Sequence, residues 1–319
     1  MNPEEIKKLI INDLSQKEMK IATASVDRLL DVKADLKALL ELGEFNLDAN
    51  KDVAQYQYRY EKVVNDKQYD YDYHKALKGA KTIIIVAFLE PFHQVGFTID
   101  GKLIEVIIPT DYRQRARKKE IDDYLKKTMT SFNHQALKIR LPLKLLAVRS
   151  GLAEYGRNNI SYIEGFGSKY SLVAYYTDCE LPEDNWRVPV RMKLCDTCRI
   201  CLNNCPTGAI VENKKVILAE RCLSLYNGYA DDIPEWINKD NHNALIGCVR
   251  CMEKCPMNIR YHHPNVKLPA FNERQTNEIL STKNLQDLSA DTYKMIYEYE
   301  IDDYYHVLHR NMSLLMNNK

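Results

Sequence analysis

The chain has no apolar run long enough to cross a bilayer. Its longest strongly apolar stretch, residues 82–89, falls far short of the roughly 20 residues a spanning helix needs. It also has almost no net charge: 45 Lys and Arg against 44 Asp and Glu leave +1. No global field therefore draws it to DNA or a membrane surface. It has no glycine-rich phosphate loop, which leaves a flavin or NAD domain without support, and no repeat or low-complexity segment. After Met1 comes an acidic, helix-like start rather than a signal-peptide core. The expectation is a soluble, cytoplasmic protein, in a compartment where disulfides are disfavoured. The 21 tyrosines are dispersed, as expected of half-buried surface rather than a stacking platform.

Against that background stand nine cysteines. One group reads Cys195-x2-Cys198-x2-Cys201-x3-Cys205-Pro206. A second reads Cys248-x2-Cys251-x3-Cys255-Pro256, with Cys222 upstream. The first is the run of bacterial two-cluster ferredoxins, and the second is the same run with its first cysteine displaced. Such spacing wraps thiolates around one face of a cuboidal cluster. The proline after each last cysteine turns the chain away, so that this cysteine reaches the other cluster. Interleaved ligation follows: Cys195, Cys198, Cys201 and Cys255 for one 4Fe–4S cluster, Cys222, Cys248, Cys251 and Cys205 for the other. Zinc also uses C-x2-C pairs, but has no use for a three-step run ending in Cys-Pro given twice. Cys179 stands apart and is assigned no role.

At 319 residues the chain is long for a ferredoxin, so two or three domains are expected. Residues 1–80 read as a mainly helical region, opened by Asn2-Pro3-Glu4-Glu5 with proline early and acids in the first turn. Residues 82–89 read as a strand buried on both faces, and 103–108 as another. A long polar helix is expected from Asp111 to about Leu137, and a shorter one through 142–148 ending at Gly151. Strands near 160–163 and 171–176 flank the turn Gly165-Phe166-Gly167-Ser168. The fold class is α+β: an α/β domain over 81–190, a two-cluster ferredoxin-like domain over 191–262 and a helical segment over 263–319.

The segment Gly151-Leu152-Ala153-Glu154-Tyr155-Gly156-Arg157-Asn158 resembles the "GLGWIGKN" segment of epoxyqueuosine reductases. Gly167-Ser168 with Tyr176-Thr177-Asp178-Cys179-Glu180-Leu181-Pro182 resembles that family's "GS…LTDLPL" stretch, and His309-Arg310-Asn311 its "RRN" segment. With the cysteine pattern, the similarity covers most of the chain from about Ala80. It implies a cobalamin-dependent reductase related to reductive dehalogenases. It further implies a cobalamin in a cleft between the α/β and cluster domains, and removal of an epoxide oxygen from a modified tRNA base. Low-potential clusters would pass electrons from a low-potential donor to the corrin. The alternative is a ferredoxin-like electron-transfer protein that serves a partner and binds no cobalamin. The substrate is tRNA or a small molecule.

The resemblance implies roles for several residues. The family's proton donor is the aspartate of an Asp-Tyr-His motif opening a helix after the second strand; Asp111-Tyr112-Arg113 stands there, making Asp111 the catalytic acid. A routine helix cap is the competing reading of Asp111. Asp72-Tyr73-His74 spells the motif but precedes the first strand and is taken as coincidence. Tyr112, Arg113, Gly151, Gly156, Arg157, Asn158, Gly167 and Ser168 are the expected cofactor-binding positions, the glycines through close backbone approach. Arg113 replaces the family's histidine, and Arg157 its lysine. Ala153 and Glu154 replace a glycine and an aromatic. Arg113 to Lys119 form a basic stretch, either for RNA phosphates or as a solvated helix face.

Overall fold

A computed structural model describes residues 1–41, 69–112, 114–212, 214, 216–229 and 232–317. The chain divides into two compact units.

The first unit comprises, of the described residues, 1–41, 69–89 and 115–198. Its centre is a four-stranded sheet in the order β1 (Met19–Ser25), β2 (Thr82–Leu89), β6 (Tyr170–Thr177), β5 (Ala136–Ile139), with every neighbouring pair antiparallel. All of β2 is buried, because it lies inside the sheet and both of its faces are covered. Ile83, Ile85 and Ala87 pack with Val32 of α2 (Leu29–Glu41) and with Leu145, Leu146 and Val148 of α5 (Leu143–Arg149). Ile84, Val86 and Phe88 point the other way. They meet Ile6, Ile10 and Leu14 of α1 (Pro3–Ser15) and Ile121, Leu125 and Met129 of α4 (Arg115–Ser131). Strand period 2 thus serves two helical layers, and each buried Ile or Leu contributes about 1.5–3 kcal/mol. Cys179 is part of the second layer and wholly buried, which raises its thiol pKa.

The opening tetrapeptide acts as expected. Asn2 caps α1, Glu5 closes the capping box, and Pro3 sits in the first turn. The strand at Met19–Ser25, however, interrupts the helical reading of the N-terminal region. Its buried positions, Met19, Ala22, Thr23 and Ala24, follow no clean alternation and are too weakly apolar to announce a strand. Two contacts tie this end of the chain to the unit. Asp184 accepts from Lys7 Nζ at 2.8 Å and from Thr23 N at 2.8 Å. Arg149 grips Asp35 with two hydrogen bonds of 2.6 and 2.7 Å.

The second unit comprises, of the described residues, 90–112, 114 and those from 199 onward. β3 (His93–Ile99) and β4 (Lys102–Ile108) form a hairpin. Its two-residue turn, Asp100-Gly101, has both residues at positive φ, +47° and +70°, the conformation that makes Asp-Gly a hairpin signal. β7 (Val266–Lys267) adds in parallel to β3. Val95, Phe97, Val106 and Ile108 pack under Phe271, Ile279, Ile296, Leu308 and Met312. Phe271 bridges to Phe97 just before α10 (Glu273–Ser281), and the other four come from α10, α11 (Ala290–Glu298) and α12 (Tyr305–Asn317). The helical C-terminal segment therefore completes the core of the unit that also carries Cys201 to Cys255.

Candidate iron–sulfur centre and its surroundings

In the first unit Cys195 sits in a single 3-10 turn, Lys193–Asp196, and is buried. The turn is anchored from behind, since Met192 N donates to Tyr155 O at 2.9 Å and Cys195 N to Met192 O at 2.9 Å. Arg157 closes on it from the side. Its Nε donates to Cys198 O at 3.1 Å, and its Nη2 makes a short hydrogen bond to Cys195 O. This expected cofactor-binding side chain therefore holds the backbone of the first cysteine loop.

The remaining cysteines of both runs lie in the second unit. Cys201 is on α6 (Ile200–Asn204), which packs against α8 (Arg250–Glu253), the helix of Cys251. Cys205 ends α6 with extended backbone, and Pro206 forbids the helix to continue. Its sulfur accepts from Ala209 N at 3.2 Å across a turn in which Gly208 has φ +64°. Cys222 precedes α7 (Leu223–Tyr229). Burial drives its pKa up, opposed by N–H and O–H donors from Ser224 and Leu225, with Cys205 close enough to push it up further. Burial likewise raises Cys248, to about 11; Asn243 and Arg250 donate to its sulfur, and Cys222 and Cys205 crowd it. The Asn243 Nδ2 to Cys248 Sγ distance is 3.2 Å. The structure thus places Cys205, Cys222 and Cys248 together, three half-buried cysteines whose sulfurs accept from N–H donors. Such a set fits thiolates that iron has deprotonated: the metal offsets the burial cost, and the N–H groups stabilise sulfur charge. Cys255 caps α9 (Pro256–Arg260), with Pro256 in its first turn. None of the nine cysteines is in a disulfide.

Several described residues between Cys222 and Cys248 pack beside Cys248. Leu223, Tyr226 and Ile237 form a cluster with Cys248 at its edge. Trp236 meets Tyr226 edge-on, ring centroids 5.5 Å apart, and the Arg221 guanidinium lies 5.9 Å over its ring. A buried polar network fixes the far side. Asn311 Nδ2 donates to Asn227 O at 2.7 Å and Leu245 O at 2.8 Å, while Asn227 Nδ2 donates to Ala244 O at 3.0 Å and Gly247 O at 2.8 Å. With both protons of that amide committed, Asn227 Oδ1 must accept from His242 Nδ1, 3.0 Å away. His242 therefore keeps a proton on Nδ1, and burial, aided by the charge of Arg310, lowers its pKa to about 4 and so disfavours a second proton.

The turn carrying Asp111 belongs to the same unit. Its backbone forms a 3-10 turn, Thr110–Tyr112, and the helix expected to begin there starts at Arg115. Asp111 is therefore not the cap of α4. Thr110 Oγ1 donates to Glu90 O at 2.9 Å, and Gln114 N to Glu300 Oε2 at 2.6 Å. Tyr112 packs its ring edge-on to Tyr304, centroids 4.8 Å apart, and its hydroxyl against Gly247 and Gly228. A Cβ on Gly247 would lie 2.7 Å from that hydroxyl. The loop that delivers Cys248 and the turn that bears Asp111 thus interlock. Arg113 lies outside the described residues.

The other expected cofactor positions belong to the first unit. The space beside Gly151 is taken by Asn185 O, 3.2 Å from where a Cβ would sit; that beside Gly156 is taken by Asn158 Oδ1 and Tyr162 at 2.5 and 2.6 Å. These two glycines are required by packing within the protein, and they do not offer an open cradle to a corrin. Asn158 is buried with its amide on Tyr162 OH at 2.9 Å. The turn 165–168 fits better: Gly165 and Gly167 have φ +82° and +62°, and among the described residues a Cβ on Gly165 would meet only Lys20 Nζ, at 3.5 Å. Ser168 is buried at the end of this turn.

Two weaker motifs resolve into local structure. Asp72 caps the short helix α3 (Tyr73–Ala76), so Asp72-Tyr73-His74 is a helix start. In the basic stretch, Arg117 donates to Lys17 O at 2.9 Å and Lys119 pairs with Asp123 at 2.6 Å, as on a solvated helix face. The donors that serve the sulfurs, Asn243 above all, had no signature in sequence. Asn311 had one, as part of the Arg310-Asn311 motif, but its role in holding Asn227 is tertiary.

Comparison with known proteins agrees with this centre. Residues 194–258 match the family described as the 4Fe-4S double cluster binding domain, so this segment holds two 4Fe–4S clusters. The chain is 32% identical over 149 residues to the epoxyqueuosine reductase of Atelocyanobacterium thalassa, an alignment covering 46% of the chain and 47% of that protein. It is 30% identical over 115 residues to that of Bacillus subtilis, covering 36% and 28%. The match thus spans about half the length of the first of these relatives. Among solved structures, epoxyqueuosine reductases from Streptococcus thermophilus and Bacillus subtilis share the fold, with TM-scores of 0.62 and 0.66 at 20% and 21% identity. They cover 98% of this chain and 80% and 82% of theirs. No described helix is long and apolar enough to cross a membrane.

Proposed function

We propose that the chain is an iron–sulfur reductase of the epoxyqueuosine reductase type. Electrons would enter from a low-potential donor and pass through the two clusters, and a corrin would be the site of substrate reduction. One observation carries this reading: the interlock of Tyr112 with Gly247. It ties the turn bearing the candidate acid to a cysteine loop, as a reductase needs and a simple electron carrier does not. A solved epoxyqueuosine reductase bound to an epoxyqueuosine-modified tRNA stem loop shares the fold at 18% identity, and we take such a tRNA as substrate and the cytoplasm as location.

Cys195, Cys198, Cys201 and Cys255 would bind one cluster, and Cys222, Cys248, Cys251 and Cys205 the other. Gly167 and Ser168 would help hold the corrin, and a bound corrin would supply the two-electron reducing centre. The protein's own contribution is to hold an acid and deliver a proton. Asp111 Oδ would donate it to the oxygen that leaves the substrate carbon, while the packing of Tyr112 on Gly247 and Tyr304 keeps the turn in place. The Asp111→Asn variant is expected to lose turnover on epoxyqueuosine-containing tRNA by 10²-fold or more, with both clusters and any bound corrin retained. Corrin absorption bands that survive gel filtration after anaerobic loading are the companion expectation. Full activity in the Asn variant would move the acid elsewhere, and absent corrin bands would contradict the reading.

A further inference from the structure

The side chain of Arg157 is spent on the cysteine loop. Two of its five N–H donors go to the carbonyl oxygens of Cys195 and Cys198, from Nη2 and Nε respectively. Neither oxygen bears on iron, but both belong to cysteines whose sulfurs would. A planar guanidinium presents these donors in a fixed fork, so the two carbonyls are held in register, and the cysteine backbone between them with them. Arg157 is itself fixed by its turn. Gly156 N donates to Ile160 O at 2.7 Å, Asn159 N to Gly156 O at 3.0 Å, and Gly156 admits no Cβ. The fork is therefore mounted on a rigid base rather than on a mobile surface side chain.

We propose that Arg157 is a positioning residue for the cluster held by Cys195 and Cys198, and that its permanent charge raises that cluster's potential. Two physical effects point the same way. A cation beside a cluster favours the state carrying the extra electron, because net charge and hydrogen bonding set such potentials. Donation to the carbonyls of the ligand residues draws electron density from their side of the site. A lysine would keep the charge but lose the fork. The second cluster has a different donor, Asn243 Nδ2 on Cys248 Sγ at 3.2 Å, so each cluster would be tuned by its own side chain. This rests on the presence of the two clusters and does not depend on the corrin or on the substrate.

The test is an anaerobic redox titration of the full-length, cluster-loaded chain, followed by electron paramagnetic resonance, for the parent, R157Q, R157K and N243A. R157Q is expected to move one couple by about tenfold in its reduction equilibrium, about 59 mV for a one-electron step, toward the oxidised form. R157K is expected to recover most of that shift. N243A is expected to move the other couple and leave the first. Should R157Q purify with half the iron, the missing signal must be the one missing from C198A. Couples unmoved in R157Q with iron complete would overturn the proposal. So would a shift shared equally by both couples, an effect of N243A on the same couple, or an R157K shift as large as that of R157Q.

Discussion

Gly247→Ala probes the interlock between the Asp111 turn and the Cys248 loop. Gly247 has φ +68°, a conformation that costs a residue with a side chain about 1–2 kcal/mol. The added methyl would also stand 2.7 Å from Tyr112 Oη and 3.1 Å from two of its ring carbons. Overpacking of this kind costs about 1–3 kcal/mol, so the sum is about 2–5 kcal/mol. Only the second part depends on Tyr112. Tyr112→Phe removes the closest contact and leaves the ring carbons at 3.1 Å, which a small shift relieves. In a double-mutant cycle the phenylalanine should therefore return about 1 kcal/mol of the alanine's cost, well above the few tenths expected of independent sites. The assay is urea unfolding of the cluster-loaded chain under anaerobic conditions, for the parent, both single variants and the double variant. Additivity within about 0.3 kcal/mol would refute the packing of Tyr112 on Gly247, and with it the structural link on which the function is argued.

Two further expectations concern pH. His242 has its pKa lowered by burial to about 4 from 6.5, so the unfolded chain binds the proton more readily, and stability falls as pH drops through that window. The loss sums to about 3 kcal/mol; His242→Asn, which can still donate to Asn227, should remove this slope, and an unchanged slope would exclude His242 as its source. For Glu278, burial would raise the pKa, but hydrogen bonds from Ser289 and Thr292 and the charge of Arg274 outweigh it and hold the carboxylate below its ordinary range. Its contribution is present above about pH 4.5 and lost as pH falls through the lowered value. Glu278→Gln should therefore cost about 1.5–3 kcal/mol at pH 7, with the difference from the parent narrowing in acid; a pH-independent difference would refute the assignment.

The cysteine runs were legible because their spacing and the following prolines are local constraints on metal geometry. The strand at Thr82–Leu89 was legible because burial on both faces writes a continuous apolar run. The hairpin was half read: residues 103–108 stood out, while His93–Ile99 is broken by Gly96 and was passed over, although Asp100-Gly101 marks its turn. The start of α4 was misplaced because Thr110-Asp111 has a cap's chemistry, whereas the chain spends it on a 3-10 turn anchored to Glu90. Gly151 and Gly156 suit close cofactor approach in sequence, but their space goes to Asn185 and to Asn158 with Tyr162. No local pattern distinguishes a glycine needed by a neighbour from one needed by a ligand. Arg157 illustrates the same limit, since its partners lie 38 and 41 residues away in sequence.

The proposed interleaving of the two clusters is tested most directly by the magnetic resonance of Cys205→Ala set beside Cys198→Ala and Cys248→Ala. The parent should carry close to eight iron atoms per chain, as a double 4Fe-4S domain requires. Because the Cys205 sulfur lies with those of Cys222 and Cys248, its removal should perturb the signal that Cys248→Ala perturbs and spare the one altered by Cys198→Ala. A Cys205→Ala spectrum that instead matches Cys198→Ala would contradict the account.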